Sequence, residues 1–176
     1  DRGGVNKYDI VTAKYSPDGT QQWMTFYNGA GGVLDDFATA MVIDGSSNIY
    51  VTGASGGIVG TGVDSNYATI KYNSNGVQQW VATYTGPNNS IDVSRAIFVD
   101  NSQNVYITGT STGSNSDDYV SIKYNANGTT AWIISYNGPS GLNDYSTSIV
   151  ADNNGNAYVT GRSFGTGTDY DYATIK

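Results

Sequence analysis

The chain has 176 residues, a net charge of −7, and neither cysteine nor histidine. The missing cysteine excludes disulfides and Cys-ligated zinc sites, and the missing histidine excludes catalysis by a His base of this chain. The acidic charge argues against nucleic acid and anionic membrane surfaces as partners, and no apolar run approaches the ~20 residues of a membrane-spanning helix.

Strand-forming and turn-forming residues dominate the composition. Glycine occurs 23 times and tyrosine 15 times, and all 15 acidic residues are Asp. Gly, Asn and Asp favour tight turns, whereas Tyr, Val, Ile and Thr favour strands. Because no segment shows apolar residues at helical spacing, we predict an all-β fold with essentially no helix.

The predicted strands begin near the start of the chain. The first spans 8–15, and a turn at 16–19 leads to a second strand at 21–27. The next four strands form one unit of strands a, b, c and d, at 37–44, 48–55, 66–72 and 77–84. This unit recurs twice, and the second recurrence ends with strand c, which gives 13 strands.

An internal repeat organises these strands. Its landmarks are a Tyr-Val/Ile-Thr-Gly run in strand b, a Tyr-x-Thr/Ser-Ile-Lys run in strand c and one Trp in strand d. Equivalent residues lie 52 to 57 positions apart, as in Trp23, Trp80 and Trp132, and in Lys14, Lys71, Lys123 and Lys176. A period of this length with four strands per unit predicts β-propeller blades.

We therefore predict a propeller-type array of four-stranded antiparallel blades over residues 1–176, with about three blades present. It divides into a partial blade at 8–28, blades at 36–85 and 92–137, and a partial blade at 144–176. Closed propellers have 4–8 blades, so we expect the chain to be part of a larger propeller or to close by association. A self-assembling filament subunit, built by strand exchange at the chain ends, is an alternative.

The repeat resembles the bacterial β-propeller repeats called SBBP repeats. The matching segments are the Asp-Asn-Asn-Gly-Asn-Ala-Tyr-Val-Thr-Gly run at 152–161, the Tyr-Ala-Thr-Ile-Lys-Tyr strand at 67–72, and the segment from Trp132 to Pro139. More loosely, the strand order is similar to that of NHL-type propellers, which mostly serve as binding platforms. The resemblance implies a structural or binding role in a secreted or cell-surface bacterial protein.

Three aspartates precede the successive a strands, namely Asp36, Asp92 and Asp144. In a propeller they would ring the mouth of the channel, where like charges can bind a cation or share protons. The interpretation we favour is that each accepts backbone N–H groups at the corner between blades. The alternative is a carbohydrate-active or calcium-dependent enzyme that uses these carboxylates.

Calcium candidates lie in two turns of the last repeat. Asp152 and Asn154 belong to an Asp-Asn-Asn-Gly-Asn turn, and Asp169 and Asp171 belong to the loop that follows strand b. Their oxygens are hard ligands, but the chain has no Glu with which to complete an EF-hand loop, and hairpin formation explains the turn. We therefore predict no cofactor, with calcium as the alternative.

Function is expected in the loops. In a propeller the b–c and d–a loops emerge on one face, and here the b–c loops at 56–65, 113–117 and 164–169 differ in sequence. We predict a non-enzymatic structural or binding module, extracellular or on the bacterial cell surface. Its partner would be a protein, a glycan or another copy of itself. The repeated Trp and Lys residues are assigned to packing between blades, with Lys lying along aromatic rings.

Overall fold

The computed structural model describes residues 8–29, 34–57, 64–87 and 90–176, and the regular elements in these ranges are thirteen β-strands. The predicted all-β fold is confirmed. In chain order the strands are β1 (Ile10–Tyr15), β2 (Gln21–Tyr27), β3 (Asp35–Ile43), β4 (Ile49–Gly57), β5 (Asn66–Tyr72), β6 (Gln78–Tyr84), β7 (Asp92–Val99), β8 (Val105–Thr112), β9 (Asp117–Tyr124), β10 (Thr130–Tyr136), β11 (Asp144–Ala151), β12 (Ala157–Phe164) and β13 (Tyr170–Ile175). The described residues contain no helix with the length and apolar character needed to span a bilayer.

The strands form four antiparallel sheets, which we number in chain order. Sheet 1 contains β1 and β2, sheet 2 contains β3 to β6, sheet 3 contains β7 to β10, and sheet 4 contains β11 to β13. Within each sheet every strand pairs with its neighbour in sequence, which is the a–b–c–d meander of a propeller blade.

The c–d turns follow from their glycines. Gly19, Gly76 and Gly128 have φ values of 84°, 77° and 85°, a region that side chains rarely tolerate. Each donates its N–H to the carbonyl of the first turn residue at 2.9 Å. A β-bulge next to each turn then shifts the strand register by one residue, as expected for a type I turn closed by a glycine bulge.

The hydrophobic core lies between the sheets. Alternate residues of each strand face opposite sides, so every inner sheet contributes to two clusters. Sheets 2 and 3 bury Tyr50 and Tyr67 against Val105, Ile107 and Ile122. Equivalent clusters join sheet 1 to sheet 2 and sheet 3 to sheet 4. The fold is therefore a row of sheets in which each sheet is stabilised by its neighbours.

A tryptophan joins each of the first two sheets to the c–d turn of the next sheet. The indole N–H of Trp23 donates to the carbonyl of Ser74 at 3.0 Å, and that of Trp80 donates to the carbonyl of Ala126 at 3.1 Å. A Cβ on Gly76 or Gly128 would lie only 2.7 or 2.8 Å from the indole ring, so glycine is also needed there for close contact. This is the inter-blade packing predicted for these tryptophans.

Candidate functional site

The a–b turns are built around one aspartate each, Asp44, Asp100 and Asp152. The Asp152 carboxylate accepts the backbone N–H groups of Asn154 and Asn156 at 2.9 Å, the Asn156 side-chain amide at 2.7 Å and the Tyr158 hydroxyl at 3.0 Å. The hydrogen bond from the Asn156 side chain contributes most to lowering the Asp152 pKa to about 2. Asp44 and Asp100 make the same four bonds. Their oxygens are thus engaged within the turn.

The two pairs of calcium candidates lie at opposite ends of β12. Asp152 and Asn154 precede this strand, and Asp169 and Asp171 follow it. A strand of its length spans roughly 25 Å, so the two pairs cannot share one ion. Asp171 accepts the Thr168 hydroxyl at 2.9 Å. Within the described ranges, no group of three or more acidic side chains is arranged to hold a metal ion.

The three aspartates that precede the a strands are buried at the corners between sheets. Asp36, Asp92 and Asp144 are at most 2% exposed. They accept N–H groups from Gly29, Gly86 and Gly138 at 2.7, 2.5 and 2.5 Å. Each carboxylate thus accepts a backbone N–H group at the corner between strand d and the next strand a, as in the interpretation that we favour.

The pKa of one of these corner carboxylates, Asp92, is shifted. Burial raises the pKa of Asp92, and hydrogen bonds from the Ser111 hydroxyl and the Gly86 N–H oppose that shift. The Ser111 hydroxyl lies 2.5 Å from the Asp92 carboxylate, which is fully buried. The Asp92 carboxylate therefore links the Gly86 backbone to the Ser111 side chain at this corner.

An arginine that contacts two aromatic rings lies at the loop end of sheet 4. The guanidinium of Arg162 lies 4.7 Å from the ring centre of Tyr145 and 4.6 Å from that of Tyr170. The Phe164 ring meets Tyr170 edge-on at 5.2 Å. The Tyr145 hydroxyl donates to Asp117 of sheet 3 at 3.0 Å, which anchors this group to the neighbouring sheet. We call Tyr145, Arg162, Phe164 and Tyr170 the arginine cluster.

The arginine cluster is partly accessible and electrostatically distinct. Arg162 is exposed, and Tyr170 is 37% exposed. Burial, followed by the hydrogen bond to Asp117, raises the pKa of Tyr145 to about 12, so this hydroxyl stays protonated and acts as a donor. The cluster therefore offers a cation and aromatic edges in an otherwise acidic chain.

The strand pairing shows that this cluster has no counterpart in the other two large sheets. Tyr145 pairs with Arg162, whereas the equivalent pairs are Phe37 with Ala54 in sheet 2 and Val93 with Thr110 in sheet 3. Sequence spacing alone does not point to the cluster, because its members are spread over three strands. Aligning the repeats and comparing the residues at equivalent pairs of strands a and b would have found it.

The described b–c loops differ in their internal hydrogen bonds. In the 113–117 loop the Gly113 N–H donates to the Ser116 carbonyl at 2.7 Å. In the 164–169 loop Gly165 donates to the Asp169 carbonyl at 3.1 Å, and the Ser140 hydroxyl of the d–a loop donates to the Phe164 carbonyl at 2.6 Å. Residues 58–63 of the 56–65 loop lie outside the described residues.

The opposite face carries polar clefts between successive a–b turns. One of about 360 Å³ lies between the turns that contain Asp100 and Asp152, and another of about 250 Å³ lies between those that contain Asp44 and Asp100. Of the turn residues that line them, only the aspartates recur in every repeat. What this face keeps constant is the set of hydrogen bonds that those aspartates accept.

A family model described as a beta-propeller repeat, SBBP, matches residues 138–167. The chain carries an SBBP-type β-propeller repeat. The matched SBBP segment includes the corner aspartate Asp144, the turn aspartate Asp152 and three members of the arginine cluster, Tyr145, Arg162 and Phe164. None of the curated proteins matches the chain. A β-propeller repeat fold supports a repeat-type binding or structural module.

Proposed function

We propose that the chain is a non-enzymatic binding module of a secreted or cell-surface protein, and that it binds a protein or a glycan through the loop face. The observation that carries the proposal is the arginine cluster, where the exposed Arg162 guanidinium contacts the rings of Tyr145 and Tyr170 at the loop end of sheet 4. Tyr and Arg are enriched at the positions that dominate binding energy. The module needs no cofactor in this proposal.

The scaffold suits this role because it separates constant from variable positions. The corner and turn aspartates repeat the same hydrogen bonds from sheet to sheet, and they hold the strands in fixed positions. The arginine cluster and the b–c loops change between repeats. Recognition residues on variable loops over a rigid scaffold are a common arrangement in binding proteins.

The test is a binding screen of the labelled chain against a glycan array and a random peptide library. We expect Arg162→Ala and Phe164→Ala to weaken the selected interaction by at least about tenfold, the usual effect of truncating an anchor residue. The matched control is Tyr15→Ala, because Tyr15 is 57% exposed on sheet 1, away from the cluster. The proposal fails if neither probe set yields a ligand, or if the two cluster variants bind as the control does.

The enzyme alternative has one observation in its favour, the raised pKa of Asp92. It is tested by Asp92→Asn in an assay of sugar hydrolysis. If the unmodified chain hydrolyses a sugar substrate and the folded Asp92→Asn variant does not, the enzyme alternative is supported. The burial of Asp92 leads us to expect no such activity.

A further inference from the structure

The polar cleft between sheets 3 and 4 differs from its counterpart between sheets 2 and 3. Its volume of about 360 Å³ falls in the range of roughly 300–1,000 Å³ that is usual for small-molecule sites, whereas the counterpart, at about 250 Å³, is smaller. Sheet 3 borders both clefts, so the two can be compared within one chain. We call the larger one the turn cleft, because the a–b turns of sheets 3 and 4 line it.

An aromatic residue lines the turn cleft at a position where the other repeats have an aliphatic one. Phe98 of β7 is partly exposed and pairs with Tyr106 of strand b. The residues at the same position in sheets 2 and 4 are Val42 and Val150. Since valine suffices for the fold at this position in two sheets, the Phe98 ring provides an apolar surface that the repeat itself does not require.

Two asparagines supply the turn cleft with free amide groups. Asn101 and Asn153 occupy the same position in the a–b turns of sheets 3 and 4, where sheet 2 has Gly45. Both side chains are exposed, and neither forms a hydrogen bond with another described residue. By contrast, the Asn104 and Asn156 amides of the same turns donate to the turn aspartates at 2.8 and 2.7 Å. The amides of Asn101 and Asn153 are therefore not needed to form the turns.

The charge of the turn cleft disfavours anionic ligands. Its described lining includes the carboxylates of Asp100 and Asp152 but no Lys or Arg side chain. The hydrogen bond from the Asn156 side chain contributes most to lowering the Asp152 pKa to about 2, so this carboxylate is ionised at neutral pH. Both carboxylates already accept four hydrogen bonds within their turns. An uncharged ligand that exchanges hydrogen bonds with amides suits this lining best.

We propose that the turn cleft binds a neutral sugar residue of a glycan, with the apolar face of the sugar ring on Phe98 and adjacent hydroxyls bonded to Asn101 and Asn153. An amide offers one acceptor and two donors, which match hydroxyls that both donate and accept. An aromatic surface with a few placed polar groups is the usual composition of a ligand site. The turn cleft lies on the opposite face from the arginine cluster, so it is a second site, separate from the one proposed above.

The experiment measures the affinity of the labelled full chain for immobilised neutral polysaccharides, namely a glucan, a galactan and a mannan, with polygalacturonate as the anionic probe. The double variant Asn101→Ala with Asn153→Ala removes both free amides and keeps the hydrogen bonds of the turns. We expect it to weaken binding of the neutral polysaccharide by at least about tenfold, the usual effect of losing two hydrogen bonds to a ligand. The matched control is Asn75→Ala, because Asn75 is an exposed turn residue that lines neither cleft.

A second variant tests the aromatic surface without disturbing the fold. Phe98→Val installs the residue that sheets 2 and 4 have at this position. It should also weaken binding by about tenfold, as expected when an aromatic anchor is lost.

The proposal is overturned if the unmodified chain binds no neutral polysaccharide, or if it binds polygalacturonate equally well. It is also overturned if the cleft variants bind as the Asn75→Ala control does. If Arg162→Ala abolishes binding of the neutral polysaccharide and the cleft variants retain it, the sugar binds at the loop face. That result would overturn the turn cleft as a site while supporting the function proposed for the arginine cluster.

Discussion

The inner sheets and the last sheet carry the same repeat in two different environments. Tyr67 of β5 and Tyr119 of β9 are 0% and 1% exposed, whereas Tyr172, the equivalent residue of β13, is 99% exposed. All three residues begin a Tyr-Ala/Val-Thr/Ser-Ile-Lys run, and each pairs with the equivalent residue of strand b. The difference shows that the repeat sequence sets strand and turn, while burial of this tyrosine depends on strand d and on the neighbouring sheet, which cover β5 and β9 but not β13 in the described residues.

This separation is what a repeat architecture predicts. The stability of stacked units is approximately the sum of each unit's own stability and the interfaces with its neighbours. In this chain the hydrogen bonds at the turns and the Tyr67–Tyr84 ring contact belong to the unit, whereas the packing of Tyr67 on Ile107 and Ile122 and the tryptophan hydrogen bonds belong to the interfaces. Substitutions at equivalent positions can therefore measure the interface term directly.

The largest expected effect is at the buried tyrosines. Tyr67→Ala should lower the free energy of unfolding by about 3–5 kcal/mol, because it leaves a cavity between sheets 2 and 3 and removes the ring contact with Tyr84 at 5.3 Å. Tyr172→Ala should change it by at most about 0.5 kcal/mol. Urea unfolding at low protein concentration measures both. Equal losses of stability in the two variants would contradict this, because they would mean that Tyr172 is also buried in solution.

A second effect concerns the glycine of each Tyr-Val/Ile-Thr-Gly run. A Cβ on Gly109 would lie 2.2 Å from the carbonyl oxygen of Val93, so the a and b strands could not keep their bulged pairing. Gly109→Ala should therefore cost about 1–3 kcal/mol of stability, the usual effect of overpacking. The control is Gly45→Ala, because apart from its two chain neighbours no described residue has an atom within 4 Å of the Cβ position. If both variants unfold at the same urea concentration, the close approach at Gly109 is not needed.

Much of the fold could be predicted from the sequence because it is encoded locally. Turn residues such as Gly76, and alternating strands such as 66–72, fix elements whose bounds depend on nearby residues alone. The arginine cluster could not be predicted in this way. Its contacts join residues from Asp117 to Tyr170, and they depend on the register of three strands and on the packing of two sheets. The corner aspartates are intermediate in predictability. Their recurrence in each repeat suggested that they accept backbone N–H groups, and the structure shows such bonds.

A third prediction uses two aspartates with opposite pKa shifts. Burial alone would raise the pKa of Asp100, but the hydrogen bonds from Asn104, Ser102 and Tyr106 together lower it. Its contribution to stability is therefore present above about pH 4 and is lost as the pH falls. Asp100→Asn should therefore cost on the order of 1 kcal/mol at neutral pH and less at low pH. For comparison, Asp152 titrates at about 2 in the folded state.

Asp92 should show the reverse dependence. Burial raises its folded pKa, so its contribution is fully present below the unfolded pKa of about 4 and is lost as the pH rises through the folded pKa. Relative to the unmodified chain, Asp92→Asn should therefore gain stability as the pH rises, while Asp100→Asn should lose it. Urea unfolding across a pH series measures both slopes. Slopes of the same sign would show that one of the two environments is described incorrectly.

The smallest effect is expected at the repeated lysines. Lys71 is 7% exposed, lies 5.1 Å from the ring centre of Tyr50, and donates to the Gln103 side chain of sheet 3 at 2.9 Å. Lys176 lies over Tyr158 at 5.6 Å but is exposed on the last sheet. Lys71→Ala should cost about 1 kcal/mol through the lost cation–π contact and the lost packing of its stem, and Lys176→Ala should cost less than half of that. Because each variant removes one positive charge, the difference between their losses of stability reports the extra contacts that surround Lys71, including the one with sheet 3. If the two losses are equal, the ring contact within the sheet accounts for the whole effect, and the bond to Gln103 contributes nothing measurable.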